Sequence, residues 1–227
     1  MQEEITLSDV DTDGAVREAA EEAYADTRLG FLKTTGVGVG ALAGGGAVLG
    51  ALAPGAFATG APPKSFGKGD IGILNFALTL EYLEAAFYNQ ATANLTAQLD
   101  ARTAKFLKVV TLDENAHVKA LRKALGHKAV KKPKFNFKTA TTDVATFKAT
   151  AQALENTGVH AYLGQVGNVK SKKVLAAAGS IVTIEARHAS VINEINGASI
   201  TPDGPFDKPF TAAKVLAAVK KTGFIVG

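Results

Sequence analysis

Apolar side chains recur every three or four residues along four long stretches of this chain, which is the period of an α-helix with one buried face. A shorter stretch near the carboxyl end shows the same period. The pattern therefore predicts an all-α protein. The predicted helices cover about 71–94, 99–125, 144–166, 171–196 and 211–221.

The residues at the ends of these stretches are typical of helix boundaries. Asp70 and Asp143 stand where a side chain can accept hydrogen bonds from the first free backbone N–H groups of a helix. Gly126 and Gly197 stand where a helix ends, because glycine adopts the backbone conformation of a carboxyl-terminal cap without strain. These signals place the boundaries independently of the hydrophobic period.

The connections between the first four predicted helices are short, long and short. Residues 127–141 are interrupted by Pro133, so we interpret them as an extended segment that can span roughly 50 Å. That length carries the chain back along a whole bundle, whereas the short connections force neighbouring helices to be antiparallel. The sequence predicts a four-helix bundle over residues 66–197, with a long crossover between helices 2 and 3 and a short carboxyl-terminal helix.

Composition narrows the possible chemistry. The chain has 227 residues, of which 47% are hydrophobic, and this is sufficient for one sizeable core. It contains no cysteine, which excludes disulfides, thiolate nucleophiles and cysteine-ligated zinc or iron sites. Histidine and carboxylate chemistry remain.

The first 58 residues differ from the rest, and we predict that they are a leader to a single folded domain over residues 59–227. Residues 1–27 are acidic and poor in large apolar side chains, as in disordered segments. Residues 36–53 form an uncharged Gly/Ala/Val/Leu run between a basic edge and small residues that end at Ala58. That order is typical of an export signal.

The basic edge, Arg28–Lys33, resembles the twin-arginine export motif, with Leu29 in place of its second arginine. Three interpretations of the leader remain open: a signal peptide cleaved after Ala58, an uncleaved membrane anchor formed by residues 36–53, and a flexible glycine-rich linker. The first two predict export to the periplasm, the cell envelope or the extracellular space.

Charge is distributed unevenly between the two parts of the chain. Residues 1–58 carry nine acidic and three basic side chains, a net charge of −6, whereas residues 59–227 carry twelve acidic and twenty-two basic ones, a net charge of +10. Such a basic domain favours anionic partners, for example a cell-envelope polymer, although an ordinary solvated lysine-rich surface has the same composition. No motif specifies a nucleic acid.

Two Glu-x-x-His pairs are the most specific chemical signal in the chain. Glu114 and His117 lie in the second predicted helix, and Glu185 and His188 lie in the fourth. Residues three apart share one face of a helix, so each pair can present a carboxylate and an imidazole to the same ion. The pairs therefore predict a metal site.

The first and third predicted helices contribute a matching pattern. Glu81 is followed seven residues later by Tyr88, and Glu155 is followed seven residues later by Tyr162. Seven residues are about two helical turns, so each Glu and Tyr share a face. Four glutamates would bring a charge of −4 into the core, and two divalent cations would neutralise it. The predicted ligands are Glu81, Glu114, His117, Glu155, Glu185 and His188.

Three further side chains are candidates for the shell around these ligands. Glu84 lies one turn beyond the first ligand, but the position three after Glu155 is Gly158, so the repeat argues against Glu84 as a primary ligand. The tyrosines either donate hydrogen bonds to ligand carboxylates or only pack in the core. His127 and His160 are not expected to be ligands. The candidates for this shell are Glu84, Tyr88 and Tyr162.

Residues 66–197 resemble the ferritin-like di-iron carboxylate superfamily, in which two helices each supply a glutamate and two each supply Glu-x-x-His. The segment Leu74–Tyr88 is similar in particular to the exported, desiccation-related branch of that superfamily. The resemblance implies a ferritin-like bundle with a dinuclear iron or manganese centre that reacts with oxygen or peroxide.

Three functional hypotheses follow. The first is an exported metalloprotein that handles oxidative stress by ferroxidase, peroxidase or catalase-like chemistry at two iron or manganese ions. The second is a non-enzymatic envelope protein for desiccation or stress, in which the metal is structural or vestigial and the basic surface binds an anionic polymer. The third is a metal-free bundle whose polar centre binds a small ligand. The extra helix and the export signal favour a monomer or small oligomer over a storage shell.

Overall fold

Five α-helices carry the fold of residues 60–226, the part of the chain that the computed structural model describes. The helices are α1 (Gly69–Leu95), α2 (Ala101–Leu125), α3 (Val144–Gln165), α4 (Lys172–Ile195) and α5 (Ala212–Thr222). No β-strand occurs within this part, so the all-α prediction is confirmed. Each predicted helix boundary lies within two residues of the observed one.

Single 3₁₀ turns precede or follow several of these helices. They cover Lys64–Phe66, Thr96–Gln98, Gly126–Lys128, Lys138–Thr141 and Val166–Asn168. Such turns satisfy backbone groups that an α-helix leaves free at its ends. The chain therefore changes direction within a few residues after α1 and after α3.

The predicted caps of α2 and α3 are present. The Asp143 carboxylate accepts a hydrogen bond of 2.7 Å from the backbone N–H of Thr146, at the start of α3. Gly126 ends α2 with a φ of 56°, a conformation that costs glycine little. Local sequence signals thus set both ends of the long crossover.

The predicted capping role of Asp70 is wrong. Because α1 begins at Gly69, Asp70 lies inside the first turn instead of before it. Its carboxylate accepts hydrogen bonds of 2.9 and 2.8 Å from the backbone N–H groups of Lys170 and Ser171. The side chain therefore joins the start of α1 to the start of α4.

The long crossover runs beside α1. The Asn75 side chain donates a 3.0 Å hydrogen bond to the carbonyl of Lys128 and accepts one of 2.9 Å from the N–H of Val130. Three turns further along α1, the ring of Phe87 packs against that of Phe137, with centroids 5.5 Å apart. The crossover thus returns the chain along the bundle, and the predicted ferritin-like architecture is confirmed.

The carboxyl-terminal segment closes over this crossover. An isolated antiparallel bridge pairs Phe135 with Ile225, and the N–H of Asn136 donates a 2.8 Å hydrogen bond to the carbonyl of Phe224. Helix α5 packs against α3, where Val215 and Val219 join the main apolar cluster. The short fifth helix is therefore part of the same core.

The predicted leader and export signal lie outside the described residues, as does the proposed domain boundary after residue 58. Among residues 60–226, no helix has the length and apolar character needed to cross a lipid bilayer.

Candidate metal centre

All six side chains predicted as metal ligands meet inside the bundle. The four glutamates are 0% exposed, and the two histidines are 8% and 5% exposed. Each of the four long helices contributes to this cluster because its ligands recur on the face that it buries. The members are Glu81 on α1, Glu114 and His117 on α2, Glu155 on α3, and Glu185 and His188 on α4.

One half of the cluster surrounds His117. Its Nδ1 atom lies 3.1 Å from Oε1 of Glu185, and 3.3 Å from one oxygen of Glu114 and one of Glu81. One ligand atom from each of these four side chains lies within 4.8 Å of the others. That spacing is small enough for a single ion to bind all four.

The other half surrounds His188. Its Nδ1 atom lies 3.1 Å from Oε1 of Glu114 and 3.3 Å from Oε2 of Glu155. Glu185 completes this second group of four ligand atoms within 4.8 Å of one another. The two groups therefore overlap, and Glu114 and Glu185 belong to both.

The two ligand groups draw their residues from two helical hairpins. Helices α1 and α2 form one hairpin, and α3 and α4 form the other. Each group takes three ligands from one hairpin and a single glutamate from the other. Glu185, from the second hairpin, completes the group around His117. Glu114, from the first hairpin, completes the group around His188.

The unpaired atoms in the cluster test whether it suits a metal. Buried polar atoms without a partner cost free energy, and buried carboxylates cost most. Within residues 60–226, every buried side-chain atom that lacks a hydrogen-bond partner belongs to this cluster, so its donor set could hold metal ions. The atoms are Glu81 Oε2, Glu114 Oε1, Glu155 Oε2, both carboxylate oxygens of Glu185, and His188 Nδ1.

Two tyrosines orient the glutamates that are not shared. The Tyr88 hydroxyl on α1 donates a hydrogen bond to Oε1 of Glu155 on α3, and the Tyr162 hydroxyl on α3 donates one to Oε1 of Glu81 on α1. The other oxygen of each glutamate is left unpaired and buried in the cluster. Each tyrosine therefore fixes a carboxylate on the opposite hairpin.

Asp113 contacts one histidine of the cluster, although the sequence did not indicate it. Its Oδ2 atom lies 3.0 Å from Nε2 of His188, so it orients the imidazole whose Nδ1 faces the cluster. The equivalent position before Glu185 is Ile184, which offers no such contact to His117. Asp113 thus makes the two halves of the cluster chemically different.

Asp113→Asn is expected to weaken the binding of one metal ion by about 10–100-fold, as is typical when an outer partner of a histidine ligand is altered. The reason is that asparagine keeps the shape of Asp113 but not its negative charge. Calorimetric titration with ferrous iron or manganese measures the effect. The exposed Asp207 provides the control variant Asp207→Asn, and equal affinities in the two variants contradict the role of Asp113.

Glu84 lies beside the cluster but belongs to neither ligand group. It is 3% exposed, and burial followed by the nearby Glu185 charge raises its pKa well above the ordinary value. A Cβ atom at Gly158 would lie 3.3 Å from Oε1 of Glu84 and 2.8 Å from Oε2 of Glu185. Gly158 therefore leaves the space that both carboxylates occupy.

Gly158→Ala is expected to lower metal affinity by about tenfold or more, because the added methyl group displaces the Glu185 carboxylate. The melting temperature of the metal-free protein should change little, since the gain of about 1 kcal/mol for alanine over glycine in a helix interior is offset by crowding of the two buried carboxyl groups. Gly179→Ala is the control, because a Cβ atom at Gly179 meets nothing within 4 Å. Metal titration and thermal melting of both variants check the prediction, and equal affinities contradict it.

Burial sets the charge of the metal-free cluster. It raises the pKa of Glu81 to about 8 and, together with the Glu114 charge, raises the pKa of Glu185 well above its ordinary value. Burial would raise the pKa of Glu114 as well, but the two histidines, 3.3 and 3.1 Å away, outweigh burial and lower that pKa to about 2. Without metal, several carboxyl groups therefore keep their protons near neutral pH.

The pKa values of the two histidines are also raised, although burial alone would lower them. Burial lowers the pKa of a histidine, but the glutamate oxygens within 3.3 Å of each Nδ1 outweigh it and raise the pKa of His117 to about 12 and that of His188 to about 11. Metal binding therefore has to displace protons from both imidazoles and from the raised carboxyl groups.

The remaining histidines lie away from the cluster. His127 is exposed just after α2. The Nε2 atom of His160 lies 2.7 Å from Oδ2 of Asp203, and its ring packs against Phe210, with centroids 4.1 Å apart. His160 thus anchors the loop before α5, and neither residue belongs to either ligand group.

Comparison with known proteins agrees with this geometry. A sequence model of the family described as "Ferritin-like domain" matches residues 69–198, which is more than half of the chain. The match begins with α1 and ends just after α4, so it contains all six residues of the cluster. No curated protein matches the chain closely enough to count as a relative.

Proposed function

We propose, from the premise that this chain belongs to the family of ferritin-like domains, that it binds two iron or manganese ions in its Glu/His cluster and uses them to react with dioxygen or peroxide. When bound, two such ions would share the electrons needed to reduce a substrate that a single ion would have to reduce alone. The reaction would serve defence against oxidative stress outside the cytoplasm.

One observation carries this proposal: two groups of four ligand atoms overlap at Glu114 and Glu185. A carboxylate that belongs to both groups could contribute to the binding of both ions. Two divalent cations would also balance the charge of the four glutamates in a core where water is scarce. A single ion would leave part of that charge unpaired.

The residues around the ligands also support a site for two ions. The hydroxyls of Tyr88 and Tyr162 hold one oxygen of each unshared glutamate, which would leave the other oxygen free to bind an ion. Asp113 holds His188 by its outer nitrogen. The full burial of the glutamates excludes bulk water from the ligands. Preorganised ligands of this kind bind a metal with little rearrangement.

Export and the desiccation-related role are supported by sequence patterns alone. The basic edge at Arg28–Lys33, the apolar run at residues 36–53 and the small residues ending at Ala58 have the order of an export signal. Mass spectrometry of the protein isolated from its native host tests this proposal. An amino terminus at residue 59 supports a cleaved signal, whereas an intact chain in the soluble cytoplasmic fraction contradicts export.

The redox proposal is tested by loading metal-free protein with ferrous iron under anaerobic conditions and then adding dioxygen or hydrogen peroxide. We expect about two ions per chain, the number that the overlapping ligand groups allow, and rapid consumption of the oxidant. Glu185→Gln should lose this reaction, whereas the exposed Glu194→Gln should retain it. A wild-type protein that binds no more iron than Glu185→Gln contradicts the proposal.

A second candidate is a non-enzymatic envelope protein with a structural metal, and a basic cleft of about 820 Å³ favours it. The cleft lies where α2 meets the crossover and is open to solvent. Its cationic lining residues are Lys119, Arg122, Lys123, Lys131 and Lys132. Such a surface suits an anionic envelope polymer.

The Glu185→Gln variant also separates the two candidates. An enzyme loses turnover while the folded protein remains, whereas a structural site loses stability and the wild type shows no turnover beforehand. Binding of the wild type to a soluble polyanion, compared with binding of the double variant Lys131→Ala/Lys132→Ala, tests the polymer role directly. Equal binding of both proteins contradicts that role.

A further inference from the structure

An apolar cavity of about 290 Å³ lies beside the metal cluster. It is enclosed by all four bundle helices at the end where α1 begins and α2 ends. Nearly all of its lining is aliphatic or aromatic. The volume is close to the lower end of the range for small-molecule sites, which is about 300–1,000 Å³.

The inner end of the cavity is adjacent to the metal ligands. Its wall includes Ala77, four residues before Glu81, and Ile181, four residues before Glu185. Four residues of a helix rise by about 6 Å. Tyr162 also forms part of this wall, and its hydroxyl donates the hydrogen bond to Glu81. A molecule in the cavity would therefore contact a side chain that orients a metal ligand.

The outer end opens between α2 and α4. Small, solvent-exposed alanines line it, namely Ala120 and Ala124 on α2 and Ala177 on α4. Lys173 is also part of this rim and is exposed. The lysine ion pairs found within residues 60–226 involve Lys148 and Lys208, which leaves the Lys173 ammonium available to an anion.

The polar groups of the cavity define the ligand further. The Tyr162 hydroxyl is engaged with Glu81, and the Gln165 side chain is engaged with Gly60 and Asn168. Lys173 is therefore the lining residue that can bind a charged group. From Lys173 to Ile181 the cavity follows eight residues of α4, or about 12 Å.

We propose that this cavity binds a medium-chain aliphatic carboxylic acid, with the carboxylate at Lys173 and the hydrocarbon chain extending towards Tyr162. An extended ten-carbon acid has about the length of the cavity, about 12 Å along the helix axis. An apolar chain with a single anionic end matches a lining that is almost entirely apolar and cationic at its opening. The proposal does not depend on the metal or on the reaction proposed for it.

Titration of the purified full-length protein with decanoate, octanoate and hexanoate tests the proposal by calorimetry. Decanoate should bind most tightly, and each methylene group removed should weaken binding about fourfold. Lys173→Ala should weaken decanoate binding about fivefold, the effect of one exposed charge pair. The neighbouring Lys172 is exposed but does not line the cavity, so Lys172→Ala should bind like the wild type.

Variants that block the opening of the cavity provide a second test of the proposal. Ala177→Phe fills the opening and should abolish binding, whereas Ala176→Phe, on the exposed surface outside the cavity, should not. Ala124→Phe repeats the block from α2. Thermal melting verifies that each variant is folded.

Three outcomes overturn the proposal. The first is that decanoate does not bind, or binds equally to Ala177→Phe and Ala176→Phe. The second is that decan-1-ol binds as tightly as decanoate, since the carboxylate would then make no contact. The third is that decanoate binds only after removal of residues 1–58, which would assign the cavity to a segment of this chain.

Discussion

Glu185→Gln is expected to lower the affinity for both metal ions by more than about 100-fold, which exceeds the usual effect of altering an outer partner of a ligand. Glu185 belongs to both ligand groups, so its replacement puts a neutral amide, with one oxygen and a nitrogen that is a poor ligand, where both groups use a carboxylate. Glutamine has nearly the same shape, and the fold should persist. Anaerobic titration with ferrous iron, followed by metal analysis of the desalted protein, measures how many ions remain.

Glu81→Gln is the matched comparison, because Glu81 is equally buried but belongs to one group. This variant should lose one ion and retain the other. The exposed Glu194→Gln should retain both. If Glu185→Gln and Glu81→Gln lose the same number of ions, the two groups do not share Glu185.

Removal of metal is expected to make the protein less stable as the pH rises from 5 to 8. A carboxyl group whose pKa is raised by folding stabilises the protein fully below its unfolded pKa of 4.5, and this contribution is lost as the pH rises through the folded pKa, about 8 for Glu81. Glu155 and Glu185 are shifted in the same direction, first of all by burial. We expect the melting temperature to fall by about 4–8 °C, which corresponds to about 2 kcal/mol in a domain of this size.

The histidines add to the same trend. Their pKa values are raised to about 12 and 11. Their contribution to the stability of the fold is therefore complete below pH 6.5, the pKa of an unfolded histidine, and is lost as the pH rises through the folded values. Glu114 has the opposite sign, but its pKa of about 2 confines its effect to pH values below 4.5. Between pH 5 and 8 the contributions of the raised carboxyl groups and the histidines therefore have one sign.

Metal should reverse this trend, because the ions replace the protons and bind more tightly as the pH rises. The difference in melting temperature between loaded and metal-free protein should therefore increase from pH 5 to pH 8. Differential scanning calorimetry of both forms across this range measures it. A metal-free protein that is more stable at pH 8 than at pH 5 contradicts the assignment of these protons.

The helices and the ligand set could be predicted from the sequence because both follow local rules. The period of apolar residues fixes which face of each helix is buried, and the spacing of three between Glu114 and His117 places both on that face. The crossover length then fixes the topology. These inferences need no knowledge of which side chains meet across helices.

The features that the sequence did not reveal all depend on contacts between distant helices. Asp113 is next to a ligand in the chain, but its partner, His188, lies on another helix. Asp70 is of a residue type that often caps helices, yet its carboxylate accepts a hydrogen bond from a backbone N–H group 100 residues away. The apolar cavity likewise arises from small residues on separate helices, and none of them is unusual within its own segment.

Each ligand group contains one glutamate from the opposite hairpin, and this affects the lifetime of the folded protein. Neither hairpin alone can surround an ion with four ligands, so metal coordination is completed only after the hairpins have docked. Interactions that form after the rate-limiting step of folding slow unfolding more than they accelerate folding. Bound metal should therefore slow unfolding and prolong the lifetime of the folded protein, with little change in the rate of folding.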